Sequence, residues 1–236
     1  MNAPHLLLWL EGPMQSWGVS SKFNRRATLD FPSRSAVLGL LCAALGAGGE
    51  QRELLALFAP LTQTVVAYAR KDKNGKISRP MPLVDFHMVG SGFDEKDPWQ
   101  TLHIPKTRDQ KPAVGGGTKL TYRYYLQDAA FAVALAIPET MKKDIETAFA
   151  MPCWDISLGR KCCVPTEFVY QGLHGSMDAA LIFAEELAHK KECAELFRVL
   201  DGAHGEEHEH RVLSDVPLRF GPNKLYAERL VTVMAL

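Results

Sequence analysis

The sequence predicts an α+β protein with a ferredoxin-like (RRM-like) βαββαβ core, and three observations lead there. Residues 5 to 170 read as strand, helix, strand, long insert, strand, helix, strand, the order of the split βαβ motif. The strand segments are short apolar runs rich in Leu, Val, Thr and Tyr, and the helical ones repeat apolar residues at three- and four-residue spacing. With 47 % hydrophobic residues and no net charge, the 236-residue chain has the material for a buried core and lacks the signature of disorder.

The first strand is Leu6 to Leu10, ending at Gly12-Pro13. A long polar loop, Met14 to Pro32, follows, and then a helix that Ser33 or Ser35 caps, with Val37, Leu38, Leu41 and Leu45 on one stripe and Gly46 as its stop. A short helix, Glu50 to Phe58, ends before Pro60, and Thr62 to Arg70 reads as the second strand. Residues 71–119 carry no periodicity and contain the turn Lys71 to Lys76, five prolines and Gly115-Gly116-Gly117, so they form an insert too long for an ordinary connection. Tyr122 to Ile137 is the third strand, Pro138 to Ala150 the second core helix, and Asp155 to Tyr170 an extended fourth segment. Beyond residue 170, a helix runs from Asp178 towards Leu200, then an acidic His-rich loop, then strands at Arg211–Leu218 and Tyr226–Met234. The expected division is residues 1–170 with an insert at 71–119, and a smaller β-rich part at 171–236.

Targeting and membrane segments are not expected, because the apolar start stops at Glu11 and the longest uncharged run, Ser35 to Gly49, is too short to span a bilayer. The cytoplasm is the expected compartment. Five cysteines, Cys42, Cys153, Cys162, Cys163 and Cys193, form no C-x-x-C and read as reduced thiols, so no zinc site and no cofactor are expected.

The zero charge is a cancellation. Residues 1–40, 70–123 and 158–163 hold 17 basic and 8 acidic side chains, and the remainder is equally negative. Lys22, Arg25, Arg26 and Arg34 lie in or beside the first loop, and eleven cations between Arg70 and Arg123 include Lys106, Arg108, Lys119 and Arg123. They alternate with Phe23, Phe86, His87, Trp99, His103, Tyr122, Tyr124 and Tyr125, and cations with rings are what RNA binding uses. A solvated loop with packed aromatics has the same composition. Leu158-Gly159-Arg160-Lys161-Cys162 offers a glycine for close backbone approach beside two cations, which suits an anion or a simple tight turn. Gly115 to Lys119 lacks the spacing of a nucleotide-binding phosphate loop. His204, His208 and His210 suggest a surface metal loop or, more simply, an acidic loop, and His87 and His103 are general-base candidates near a ribose 2′-hydroxyl.

Gly12-Pro13-Met14-Gln15-Ser16-Trp17-Gly18, Phe31-Pro32-Ser33-Arg34-Ser35 leading into Leu38-Gly39-Leu40-Leu41, Asp85-Phe86-His87, Tyr122 to Phe131 and Leu158 to Cys162 occur in one order and spacing. The pattern resembles the CasD family, the fifth-family (RAMP superfamily) subunits of the type I-E CRISPR Cascade surveillance complex, over most of residues 5 to 170. The resemblance implies a ferredoxin-like core with an inserted β-hairpin thumb and a smaller C-terminal part. It also implies a non-catalytic subunit that holds the 5′ repeat-derived handle of the CRISPR RNA and caps one end of the complex. Met14, Gln15, Ser16, Trp17, Arg34, Ser35, Gly159, Arg160 and Lys161 would then form the handle surface, with Lys106 and Arg108 pressing on RNA from the thumb. The implied partners are the Cascade backbone and large subunits, with target DNA met indirectly through base pairing. The alternative is a metal-independent endoribonuclease cutting repeat RNA, with His87 or Tyr122 as base and Lys119 as cation.

Overall fold

The computed structural model describes residues 3–18, 24–89, 96–99, 107, 109–111 and 119–235. Lys22, Phe23, His103, Lys106, Arg108 and Gly115 to Gly117 lie outside the described residues. Within them the chain is a mixed α/β protein, a mostly antiparallel sheet with few helices. The elements are β1 (His5–Gln15), β2 (Trp17–Gly18), β3 (Arg25–Arg26), β4 (Thr28–Leu29), α1 (Arg34–Leu45), α2 (Arg52–Phe58), β5 (Gln63–Arg70), β6 (Leu83–Val89) and β7 (Lys119–Ala136). They continue as α3 (Lys142–Ala150), β8 (Tyr170–His174), α4 (Met177–Lys190), β9 (Cys193–Asp201), β10 (Glu209–Arg219) and β11 (Leu225–Ala235). The sheet runs β10-β11-β9-β5-β7-β1-β8, with β3 and β6 attached to β7, while β2 and β4 pair separately.

The central strands show no polar alternation because both sheet faces are covered. Leu6, Leu8 and Leu10 of β1, Val65 and Ala67 of β5, and Phe131, Val133 and Leu135 of β7 enter the cluster beneath α1, α2 and α3. Their neighbours Leu7, Trp9, Val66, Tyr68, Ala130, Ala132 and Ala134 meet Ala180, Ala184 and Ala188 of α4 on the other face. Those three alanines recur every four residues and so share one helix stripe. The alanines of the helix and Ala130, Ala132 and Ala134 of β7 let the helix sit close to the sheet, with the larger Trp9 and Tyr68 in the same cluster.

Local rules set the helix ends. Ser33 Oγ accepts the Ala36 N–H of α1, and Gly46 stops the helix at φ +68, where a Cβ would lie 2.6 Å from the Cys153 sulfur. The helix after residue 177 is shorter than expected, because Glu192 turns the chain at φ +56 and Cys193 to Asp201 become β9. Likewise Asp155 to Tyr170 is mostly turns rather than strand. Its backbone bonds β1 only at intervals, Leu158 O accepting from Ser16 at 3.0 Å, Thr166 donating to Glu11 O at 2.9 Å and Val169 O accepting from Trp9 at 2.8 Å. The insert is not wholly irregular, since β6 lies within it.

β9 pairs with β5, so the C-terminal strands extend the same sheet. A buried charge network fixes them to α1. Arg229 grips Asp215 through two bonds, 2.7 Å at Nε and 2.9 Å at Nη2, and its Nη1 donates to Asp201. Asp215 also accepts the Arg34 backbone N–H at 2.7 Å, and Asp201 accepts the Gln63 N–H at 2.8 Å. Arg34 donates through Nη2 to the carbonyls of Phe58 and Leu61 and pairs through Nη1 with Asp201. Burial opposes the Arg229 charge, yet hydrogen bonds and charge from Asp215 and Asp201 outweigh it and hold the pKa above the usual value. Removing one partner strands the others. Asp215→Ala should therefore lower stability by about 3–5 kcal/mol in urea unfolding, and a loss below ~1 kcal/mol would show that the network contributes little.

Candidate nucleic-acid interface

Strand pairing builds this surface. β6 runs antiparallel along the first half of β7, with Val84 opposite Tyr124, Phe86 opposite Tyr122, His87 opposite Thr121 and Met88 opposite Leu120. β3 lies parallel on the other side, placing Arg25 at Tyr122 and Arg26 at Arg123. Opposed residues share a face and successive residues alternate, so Val84, Phe86, Met88, Leu120, Tyr122 and Tyr124 line one face of the ribbon. On it Phe86 is 51 % exposed and Tyr122 40 % exposed, their rings 5.3 Å apart. The Arg25 guanidinium lies 5.5 Å from the Tyr124 ring centroid and donates to its hydroxyl at 2.5 Å, a bond that raises the Arg25 pKa and keeps the charge. Exposed rings bordered by a cation can stack unpaired bases and hold the adjoining phosphates.

The turn from Leu158 to Cys163 braces the base of the ribbon. Leu158 N–H donates to Cys163 O at 2.7 Å, and Cys163 N–H donates to Arg160 O at 2.8 Å. Gly159 sits at φ +96, and a Cβ there would lie 1.8 Å from Ser16 O, so only glycine lets the turn close on the end of β1. Arg160 stacks 4.6 Å over the Tyr125 ring and donates to Tyr124 O at 3.2 Å and Arg26 O at 2.8 Å, tying β7 to β3. Lys161 beside it is exposed.

The structure therefore gathers Arg25, Arg26, Tyr122, Arg123, Gly159, Arg160 and Lys161 around one ribbon. Arg123 is half-buried, its Nε donating to Thr121 Oγ1 at 3.3 Å, and Lys119 opens β7. Other expected contacts lie beneath the surface. Gln15 is fully buried, its amide donating to Leu10 O at 3.0 Å and Ala129 O at 2.6 Å while its oxygen accepts the Trp17 indole N–H at 3.1 Å. Trp17 is fully buried, and Ser16 donates to Tyr124 O at 3.2 Å. Met14 packs half-buried against the core, and Ser35 lies within 3.2 Å of the capping Ser33 hydroxyl. Arg34 is 3 % exposed and spent on the charge network, where burial lowers its pKa against the pull of Asp201. Of these, Ser16 underpins the ribbon through its bond to Tyr124 O, whereas Arg34 and Ser35 belong to the start of α1.

Sequence reasoning missed Arg79, which is clamped 5.3 Å from Phe131 and 5.1 Å from Phe197 and donates to Asp30 O at 2.8 Å. It also passed over Val84 and Met88, whose alternation with Phe86 was the available signal. In the His-rich loop, His204 Nε2 lies 2.8 Å from Asp201 O and His210 Nε2 3.0 Å from Gly205 O.

Residues 5–232 match the family model described as CRISPR-associated protein (Cas_Cas5). The chain belongs to the Cas5 family. A curated relative, "CRISPR system Cascade subunit CasD" of Escherichia coli (strain K12), is 32 % identical over 174 residues, which span 71 % of this chain and 70 % of the relative. A solved structure titled "CRISPR RNA-guided surveillance complex" superposes with a TM-score of 0.70 at 29 % identity, covering 98 % of this chain and 89 % of the other. Another, titled "Crystal structure of Cas protein", gives 0.58 at 26 % identity, covering 98 % and 94 %.

In this Cas5 chain the braced turn can be read through its thiols. Cys153 and Cys162 are exposed, whereas burial pushes Cys42 up to about 11, and burial together with Cys162 pushes Cys163 to about 11. Brief alkylation should label Cys153 and Cys162 and spare Cys42 and Cys163. Gly159→Ala should release the turn and expose Cys163 to labelling, measured by peptide mass spectrometry; continued protection would contradict the close packing on Ser16.

Proposed function

We propose that the chain is a non-catalytic CRISPR RNA-binding subunit of a Cascade complex. It holds the 5′ repeat-derived handle of the guide RNA and caps one end of the assembly for surveillance of invading DNA. The observation that carries this reading is the exposed ring face of β6 and β7 edged by Arg25 and footed by the Arg160 turn. Stacking and backbone contacts there would hold splayed handle bases, while Arg25, Arg26, Arg123 and Lys161 take phosphates. From the sequence, Lys22, Lys106, Arg108 and Lys119 are proposed as further RNA contacts.

The architecture supports the same assignment. Strands β8-β1-β7-β5 are adjacent, with α1 after β1 and α3 after β7, an order that supports reading these elements as a ferredoxin-like core. Residues 71–119 would supply the thumb and residues 1–170 the RNA-binding domain, with 171–236 a smaller β-rich part. The relative named as a Cascade subunit, and the neighbour titled as an RNA-guided surveillance complex, favour backbone and large subunits as partners in the cytoplasm. No helix among the described residues is long and apolar enough to cross a membrane.

Binding is favoured over cleavage by the ribbon's geometry. Phe86 pairs with Tyr122 while His87 pairs with Thr121, so His87 and Tyr122 project from opposite faces and do not converge on one phosphate. His87 instead lies 3.8 Å from the Asp85 carboxylate.

The test is guide retention by the assembled complex. Phe86→Ala with Tyr122→Ala should reduce RNA affinity roughly tenfold or more, because base stacking is worth about 1–3 kcal/mol per base. The paired variant Arg25→Ala with Lys161→Ala should also shed guide, and more steeply at high salt. Full guide content in correctly folded variants would overturn the reading, as would specific cutting of repeat RNA by the wild-type chain in EDTA.

A further inference from the structure

The turn at Lys71 to Lys76 is the charged feature that the RNA face leaves unused. β5 pairs Tyr68 with Ala130 and ends at Arg70, so the turn emerges at the end of the sheet where β7 departs into the ribbon. Its backbone is closed by a bridge between Lys71 and Ile77, by Asp72 N–H donating to Lys76 O at 2.9 Å, and by Gly75 N–H donating to Asp72 O at 2.9 Å. Gly75 takes φ +78 at the tip. The Asp72 carboxylate is occupied within the turn, accepting the N–H groups of Asn74 and Lys76, each at 2.8 Å.

Lys71, Lys73 and Lys76 are exposed, and among the described residues none of the three enters an ion pair. The returning limb is anchored by Arg79, whose half-buried guanidinium lies against both the Phe131 and Phe197 rings and donates to Asp30 O. Burial lowers the Arg79 pKa and Asp30 opposes that shift. Three free cations thus sit on a hairpin whose base is fixed in the core.

The contrast with the ribbon identifies the ligand. No aromatic residue or histidine occurs from residue 69 to residue 85, so the turn has charge and no stacking surface. Rings read unpaired bases, whereas cations alone read a phosphate backbone regardless of sequence. In an RNA-guided complex base pairing carries most of the sequence, so lysines that meet the DNA duplex beside the paired segment need only its phosphates, which they bind regardless of sequence.

We infer that Lys71, Lys73 and Lys76 form a phosphate-backbone contact for duplex DNA, separate from the ribbon that holds RNA. The inference rests on the RNA-binding reading above and turns an indirect DNA contact into a direct one.

The experiment titrates guide-loaded complexes with duplex DNA across a salt series. With Lys71→Ala, Lys73→Ala and Lys76→Ala combined, guide RNA per complex stays at the wild-type level. The slope of log affinity against log salt becomes shallower by about 2–3, since each phosphate contact contributes about 0.9. Replacing the same three residues by Arg keeps the wild-type slope. An unchanged slope in the alanine variant overturns the inference, and so does a parallel loss of guide, which makes the turn an RNA contact. A wild-type assembly that carries no guide would refute the RNA-holding reading alone, because the DNA slopes of wild-type and variant assemblies still decide the turn.

Discussion

β7 must serve two environments along one unbroken backbone, and the rest of the molecule is arranged around that demand. From Ala129 to Ala136 it lies between β1 and β5 with both faces covered, while from Lys119 to Tyr125 it carries a ribbon whose rings face solvent. The change comes at Asp128, an exposed residue at φ +45 opposite Pro13, which has no N–H to offer the ladder. The Gln15 side chain fills the break by donating to Leu10 O and Ala129 O. A continuous strand transmits the rigidity of the core to the ribbon, and this is what allows a surface made of a few exposed rings to keep one orientation.

A second constraint secures the other half of the sheet. Arg34, Asp201, Asp215 and Arg229 join the starts of α1 and β5 to β9, β10 and β11. Such a network is worth little as isolated pairs, because desolvation offsets attraction, but it penalises any arrangement that leaves a member unpaired. It thereby specifies how the C-terminal strands dock beside β5. The basic ribbon and turn lie beyond this network, which leaves their cations free of the acidic groups that it consumes.

Much of the core was legible because its signals are local. The run Leu6 to Leu10 announced the first strand, and Ser33 and Gly46 marked the ends of α1. β6 was hidden because Val84, Phe86 and Met88 are apolar on an exposed face, the inverse of the usual pattern, and the strand exists only through its pairing with β7. Arg34 read as an RNA cation because its partners Asp215 and Asp201 lie 181 and 167 residues away. Gln15, Ser16 and Trp17 misled similarly, since a polar run after Gly12-Pro13 looks like a loop although the fold buries it. The segregation of charge was visible in the sequence, but which cations are spent internally was not.

The central claim is that guide RNA lies on the ring face of β6 and β7. Ultraviolet cross-linking of the guide-loaded complex, followed by mass spectrometry of RNA-linked peptides, tests it most directly. The account predicts adducts within residues 83–89 and 119–126, centred on Phe86 and Tyr122. Adducts confined to α4 or to β10 and β11, with the ribbon unmodified, would contradict it.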